Sequence, residues 1–216
     1  MRAPVRVALG LAVAFLVTEA GAVRPVDEAI LPVEDYKAPE ARALAQTYAE
    51  ELAALYEDVR RCAPELDFQL DGIAFQRPRQ GSSQSPHLTL WVLLDARRRL
   101  AGPSPAARAV EAIEQYGRKM IRQLSARGPV EADADVGGYG LILSWVGPRK
   151  IQNRAVMESF VVFTGKGSAS AFAAGQASLR EFLASADVRL FDGQQELPFP
   201  VLTTPDPPGP DGLAAC

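Results

Sequence analysis

Between positions 39 and 197 the apolar residues of this chain change their spacing several times, and each change of period marks a change of secondary structure. Leu44, Tyr48, Leu52, Leu55, Val59 and Cys62 recur at steps of three and four. That is one apolar face of a helix over 39–62, opened by Pro39 and stopped by Pro64. Leu66, Phe68 and Leu70 then alternate, Asp71-Gly72 interrupts, and Ile73 and Phe75 resume, which predicts a strand over 66–76 with a bulge or turn at Gly72. A polar loop follows over 77–86. Leu88, Leu90, Val92 and Leu94 alternate with Thr89, Trp91 and Leu93, so this strand is apolar on both faces and belongs in the middle of a sheet. Ser104-Pro105 caps a second helix that runs to Arg127, with Val110, Ile113, Met120, Ile121 and Leu124 inward. Strands over 139–147 and 155–164 are predicted next, joined by a turn at Gly147-Pro148-Arg149-Lys150. Ser168 begins a third helix to Ser185, and Asp192-Gly193 closes a last short hairpin between 188–191 and 194–197.

The order α-ββ-α-ββ-α-(ββ) predicts an α+β two-layer sandwich, a mostly antiparallel sheet with helices on one face. The ββα unit occurs twice, over 66–127 and 139–185, without evident identity between the halves. Residues 39–197 then form a single domain, preceded by an extended arm over 23–38 and followed by a Pro-rich tail over 198–216 that is predicted to be disordered.

The first 22 residues read as a secretory signal peptide. Arg2 and Arg6 precede an uncharged apolar run from Val7 to Val17, and Ala20-Gly21-Ala22 supplies the small-x-small cleavage pattern. Eleven helical residues span only about 16 Å, too short for a bilayer, so cleavage after Ala22 leaves no integral membrane span. Arginine far outnumbers lysine and Asn153 is the only asparagine, a bias of GC-rich bacterial genomes. The expected location is therefore the periplasm or the exterior of a bacterium. Cys62 and Cys216 are the candidate disulfide there, although spacing alone does not bring their Cα atoms into range.

Composition narrows the chemistry. A net charge of -3 lacks the basic excess with which proteins neutralise nucleic-acid phosphates. One histidine and two cysteines leave no ligand set for a zinc cluster, and no cofactor is expected. Thr164-Gly165-Lys166-Gly167-Ser168 lies where a phosphate-cradling loop would, but Phe160 holds the place of the first glycine that the motif requires. Glu131, Asp133 and Asp135 invite a calcium reading, yet Ser144 stands where a loop begun at Asp133 needs its last carboxylate, and Val136 where one begun at Glu131 needs glycine. His87 near Cys62, Ser82, Ser83 or Ser85 comes with no nucleophile elbow and reads as a surface histidine. Among the strand carboxylates Asp67, Asp71, Asp95 and Glu158, the last shares a strand face with Val156, Phe160 and Val162. Base rates for charged residues put that face outward; in a cleft its pKa would rise.

Two other groupings bear on function. Trp91, Trp145, Phe160 and Phe163 are candidates for a ligand or partner patch, the two tryptophans stacked on one face. Arg97, Arg98 and Arg99 after one strand, with Arg149, Lys150 and Arg154 at another, form a candidate basic rim for an acidic partner or anionic headgroups. The leading expectation is a non-enzymatic binding or assembly module of the bacterial envelope. One alternative is a carrier of a small apolar ligand, in a sheet–helix cavity lined by Leu90, Trp91, Leu143, Trp145, Phe160 and Phe163. The other is a carboxylate-dependent hydrolase built on Glu158. The export reading is checked by the intact denatured mass of protein from the exported fraction: a chain starting at Val23 is expected, and one starting at Met1 overturns it. The same spectrum reports, by loss of two hydrogens, whether Cys62 and Cys216 are joined.

Overall fold

Each alternating segment finds a neighbour in one six-stranded sheet. In the computed structural model, residues 23–199 are described except 78, 81–82 and 85–86. The predicted signal peptide and the tail from Pro200 onward lie outside the described residues, as do Ser82 and Ser85. The strands are β1 (Leu66–Gln76), β2 (Arg79–Gln80), β3 (Ser83–Gln84), β4 (Leu88–Ala96), β5 (Val136–Ile151), β6 (Arg154–Gly165), β7 (Asp187–Asp192) and β8 (Gln195–Leu197). The main sheet runs β1-β4-β5-β6-β7-β8, and β2 and β3 form a separate two-residue ribbon within the predicted polar loop. All neighbours in the sheet are antiparallel except β4 and β5, which the intervening helices make parallel. The fold is α+β with an open, mostly antiparallel sheet, as the pattern predicted.

The helices are α1 (Val26–Ala29), α2 (Pro39–Thr47), α3 (Ala49–Cys62), α4 (Pro105–Ala112), α5 (Arg118–Ser125), α6 (Gly128–Ala132), α7 (Lys166–Ala173) and α8 (Leu179–Ser185). Each of the three long helices predicted from periodicity is interrupted. The first breaks at Tyr48, whose backbone leaves the helical region (φ -107, ψ 23). The second contains a π turn over Ile113–Gly117 and ends at Ser125, short of the predicted Arg127, and Gly128-Pro129 begins the short α6. The third breaks at Gly175 (φ 71), and Ser178 with Glu181 forms a capping box that restarts it as α8. Periodicity is blind to such breaks because the apolar stripe resumes in phase on the far side. The arm over 23–38 is not extended throughout: it holds α1 and a 3-10 turn over Val33–Asp35.

The hairpin between β5 and β6 turns at Gln152-Asn153, both at positive φ (50 and 62), and not at Gly147-Pro148. A two-residue turn that matches strand twist needs positive φ at both positions, which asparagine tolerates and proline cannot adopt. Pro148 sits instead in the register shift between Val146 and Lys150.

Register sorts the sheet residues into two faces. Ile73, Val92, Leu141 and Val162 form one cross-strand row; Phe68, Leu94, Leu143, Phe160 and Leu190 form the next. All nine are buried, in one core cluster with the apolar sides of α2 to α5, α7 and α8. The outer edge of β1 is closed by the arm: Leu31 N donates to Ile73 O at 3.0 Å, and Phe75 N donates to the Tyr36 hydroxyl at 3.2 Å.

At the break between α2 and α3, Tyr48 donates its hydroxyl to Asp133 Oδ2 at 2.7 Å and so ties the helix junction to the loop before β5. This bond, aided by burial, pushes the Tyr48 phenol up from 10 to about 12, and it holds the Asp133 carboxyl below its usual range. A folded-state pKa that is raised contributes stability in full below pH 10 and loses it as the pH climbs towards 12. The gap in urea midpoint between the wild type and Tyr48→Phe is therefore expected to be constant from pH 7 to 9 and to shrink between pH 10 and 12; a gap that persists to pH 12 contradicts the tether.

Candidate functional site

The second face of the sheet is built by the residues between those of the core rows. Ala74, Trp91, Gly140 and Phe163 lie side by side across four strands, and Leu93, Ile142 and Val161 form the adjacent row. Trp91, Leu93, Ile142, Val161 and Phe163 are all partly exposed, and none belongs to the core cluster or packs against it. The Trp91 indole lies across the backbone of Gly140, where a Cβ would come within 2.3 Å of the ring, and it stacks with Phe163 at 6.4 Å and 20°. Glycine is thus required at 140 for the indole to lie flat. The indole Nε1 has no hydrogen-bond partner.

The row beyond is polar: Asp67, Asp95, Ser144 and Ser159, continuing into Phe191 and Glu196. Gln69 Nε2 donates to Asp95 Oδ1 at 2.8 Å and to Ser144 Oγ at 3.2 Å. Burial pushes the Asp95 carboxyl up, and Asp67 opposite adds to the shift against the Gln69 bond. On the β7 side Asp187 and Arg189 pair at 2.9 Å. The face is an apolar centre with charged margins.

Trp145 is not part of it. The parallel register of β4 and β5 sets Trp145 beside Ala96, an odd number of residues from Trp91, so the two indoles point to opposite faces. Trp145, Phe160, Leu90 and Leu143 are all 0 % exposed on the core side, whereas Trp91 and Phe163 lie on the open side. The predicted four-residue patch is thus divided by the sheet. So is the predicted cavity lining, whose core-side members fill the space between the layers.

Glu158 faces inward, against expectation. It is 1 % exposed and takes both ends of a bidentate pair, from Arg108 Nε to Oε2 at 2.7 Å and from Arg108 Nη2 to Oε1 at 2.5 Å. Trp145 Nε1 donates to Oε2 at 2.7 Å, and Arg108 Nη1 donates to Gly102 O at 2.6 Å. Hydrogen bonding to Glu158 raises the Arg108 pKa further. Gly147 leaves room for the carboxylate, since a Cβ there would lie 2.6 Å from Oε1. Both oxygens of the carboxylate are thus engaged by these donors. The signal in the sequence was Arg108 itself, one turn before Ala112 on the inward side of its helix: two opposite charges on two apolar faces satisfy each other.

Two motifs set aside singly prove to be one assembly. Lys166, of the false phosphate loop, donates its Nζ to Glu131 O at 2.7 Å and Asp133 O at 2.6 Å, in the acidic run that resembled a calcium loop. The Glu131 carboxylate accepts from Tyr139 and, at 2.6 Å, from Ser170 Oγ. Burial, then the bond to Glu131, pushes the Tyr139 phenol up. The lysine ammonium occupies the carbonyl cage, and among the described residues no group of three or more His, Cys, Asp or Glu side chains could hold a metal ion.

The six residues of the basic rim lie at or beyond the same end of β4 and β5, because those strands are parallel. Three have acid partners: Arg97 with Asp67 at 3.1 Å, Arg98 with Glu111 at 3.8 Å and Arg149 with Asp192 at 2.9 Å. Lys150 and Arg154 are exposed. His87 is exposed at the start of β4. Cys62 is 8 % exposed at the end of α3, where Gln123 Nε2 approaches its Sγ at 3.3 Å; Cys216 lies outside the described residues. Among the described residues no helix is long and apolar enough to cross a membrane.

No known protein family, curated protein or solved structure matches the chain. The buried pair yields a direct test of what Glu158 does: removing one partner strands the other charge, so Glu158→Ala is expected to cost about 3–5 kcal/mol in urea unfolding, and the double variant Arg108→Met with Glu158→Leu to recover most of that. A Glu158→Ala protein of unchanged stability would show that the pair is not the clamp described.

Proposed function

We propose that this protein is a non-enzymatic binding or assembly module of the bacterial envelope, exported to the periplasm or beyond, and that it meets its partner through the open face of the sheet. The observation that carries the reading is the apolar centre on that face: Trp91 laid flat over Gly140, with Leu93, Ile142, Val161 and Phe163 around it, all partly exposed outside the core. Contiguous apolar surface rimmed by polar residues is the usual character of a contact surface. The Asp187–Arg189 pair and the Gln69–Asp95–Ser144 network supply such a rim.

The competing readings have less support. A carrier cavity between sheet and helices needs empty space where Leu90, Leu143, Trp145 and Phe160 are fully buried. A hydrolase based on Glu158 needs a carboxylate free to exchange protons, and Arg108 and Trp145 occupy both of its oxygens.

A photo-crosslinking residue placed in living cells at Ile142 or Val161 is expected to yield a discrete adduct. The same residue at Arg180, exposed on α8, is expected to give none. Adding Val161→Glu should abolish the adduct from position 142 while leaving the melting temperature in place. Adducts from Arg180 alone, or none from the open face, would sink the proposal.

A further inference from the structure

Away from the open face, a half-open cavity of about 610 Å³ lies at the β1 edge, between the arm, the start of α2, the end of β1 and the start of β4. That volume is within the range of small-molecule sites. Its floor is apolar: Leu31, Ala41, Phe75 and Leu88. Among the described residues its polar lining includes two cationic side chains, Lys37 and Arg77, and one carboxylate, Asp35. At the margin Glu40, itself largely exposed, pairs with Arg77 at 3.7 Å. Tyr36, 3 % exposed, also lines the cavity; its hydroxyl accepts from Phe75 N, and among the described residues nothing accepts its own proton. The cavity thus combines an apolar floor, two cationic side chains and an unused buried donor.

We infer that this cavity binds an amphipathic monocarboxylate, its hydrocarbon chain on Phe75 and Leu88 and its head group among Lys37, Arg77 and the Tyr36 hydroxyl. A neutral ligand of the same shape gains no ion pair with Lys37 or Arg77, and a dianion meets Asp35. The site shares no residue with the open face, so it stands or falls separately from the partner-binding proposal.

Dodecanoate is the probe, titrated calorimetrically into the mature protein, with dodecanol as its neutral counterpart. Saturable 1:1 binding of dodecanoate is expected, about tenfold tighter than that of dodecanol, the worth of one hydrogen bond to a charged group. Lys37→Gln and Arg77→Gln, both at exposed side chains, should each remove most of that preference. Ala38→Phe, which fills the cavity from a partly exposed position, should abolish binding while circular dichroism and melting temperature stay as in the wild type. Ile142→Glu, on the open face, should leave the affinity unchanged. No saturable binding overturns the inference. So does binding that survives Ala38→Phe in a folded protein, binding with no preference for the carboxylate, or binding lost on Ile142→Glu.

Discussion

A sheet has two faces, and the connections of this chain put helices on only one. The link from β4 to β5 joins parallel neighbours, so it must cross over the sheet, and it does so as α4, the π turn, α5 and α6. The link from β6 to β7 carries α7 and α8, and α2 and α3 precede β1; all of these bury their apolar sides in the same core. No helix is left for the other face among the described residues, yet the two central strands are apolar on both sides. The polarity of the open face follows from this one-sided supply: apolar in the middle, where β4, β5 and β6 meet, and charged at the flanks.

The helical layer is held in place by more than packing. Arg108 of α4 reaches Glu158 of β6 inside the core, and Trp145 of β5 completes the set, so that one helix and two strands share three hydrogen bonds to one carboxylate. Such a pair adds little net stability compared with a well-packed apolar substitute, but its geometric demands oppose a slip of α4 along the sheet, and a one-residue slip would change which residues face the core. At the opposite end of β5, Lys166, Glu131, Tyr139, Ser170, Asp133 and Tyr48 form a second polar knot that joins α6, α7 and the α2–α3 junction. Each knot absorbs residues that, read one at a time, looked like candidates for function: Glu158 and Trp145 in the first, Lys166, Glu131 and Asp133 in the second.

The elements themselves were legible in the sequence because period is a local property. The bulge at Gly72 lies within the register shift between Phe68 and Ile73, and the last hairpin is where the pattern put it, although its two-residue turn is Gly193-Gln194, one residue beyond the expected Asp192-Gly193, because Asp192 still pairs with Gln195. What was not legible depends on pairs of segments. Trp91 and Trp145 look alike in their own strands, and only the β4–β5 register shows that they face opposite ways. Glu158 looked misplaced among apolar neighbours because its partner is fifty residues away in sequence. Tyr48 fits an unbroken helical stripe, and the break there answers to Asp133, far along the chain. The open face had a local trace, the second apolar side of the 88–94 strand, but a strand covered on both sides gives the same trace.

The edges of the sheet bear on how such a molecule makes contacts. An unpaired edge strand is the commonest route for one chain to add to another. Here one edge is taken by the arm, through Leu31 and Tyr36, and the other ends in β8, only three residues long. Strand addition is poorly served at either side. The large surface that remains is the face bearing Trp91, where contact depends on side chains and not on backbone hydrogen bonds. Side-chain contact across a face selects a partner by shape and by the placing of a few polar groups, whereas an open edge accepts almost any extended segment. A fold that closes its edges and leaves one apolar face uncovered is thereby suited to a specific partner more than to self-propagating assembly.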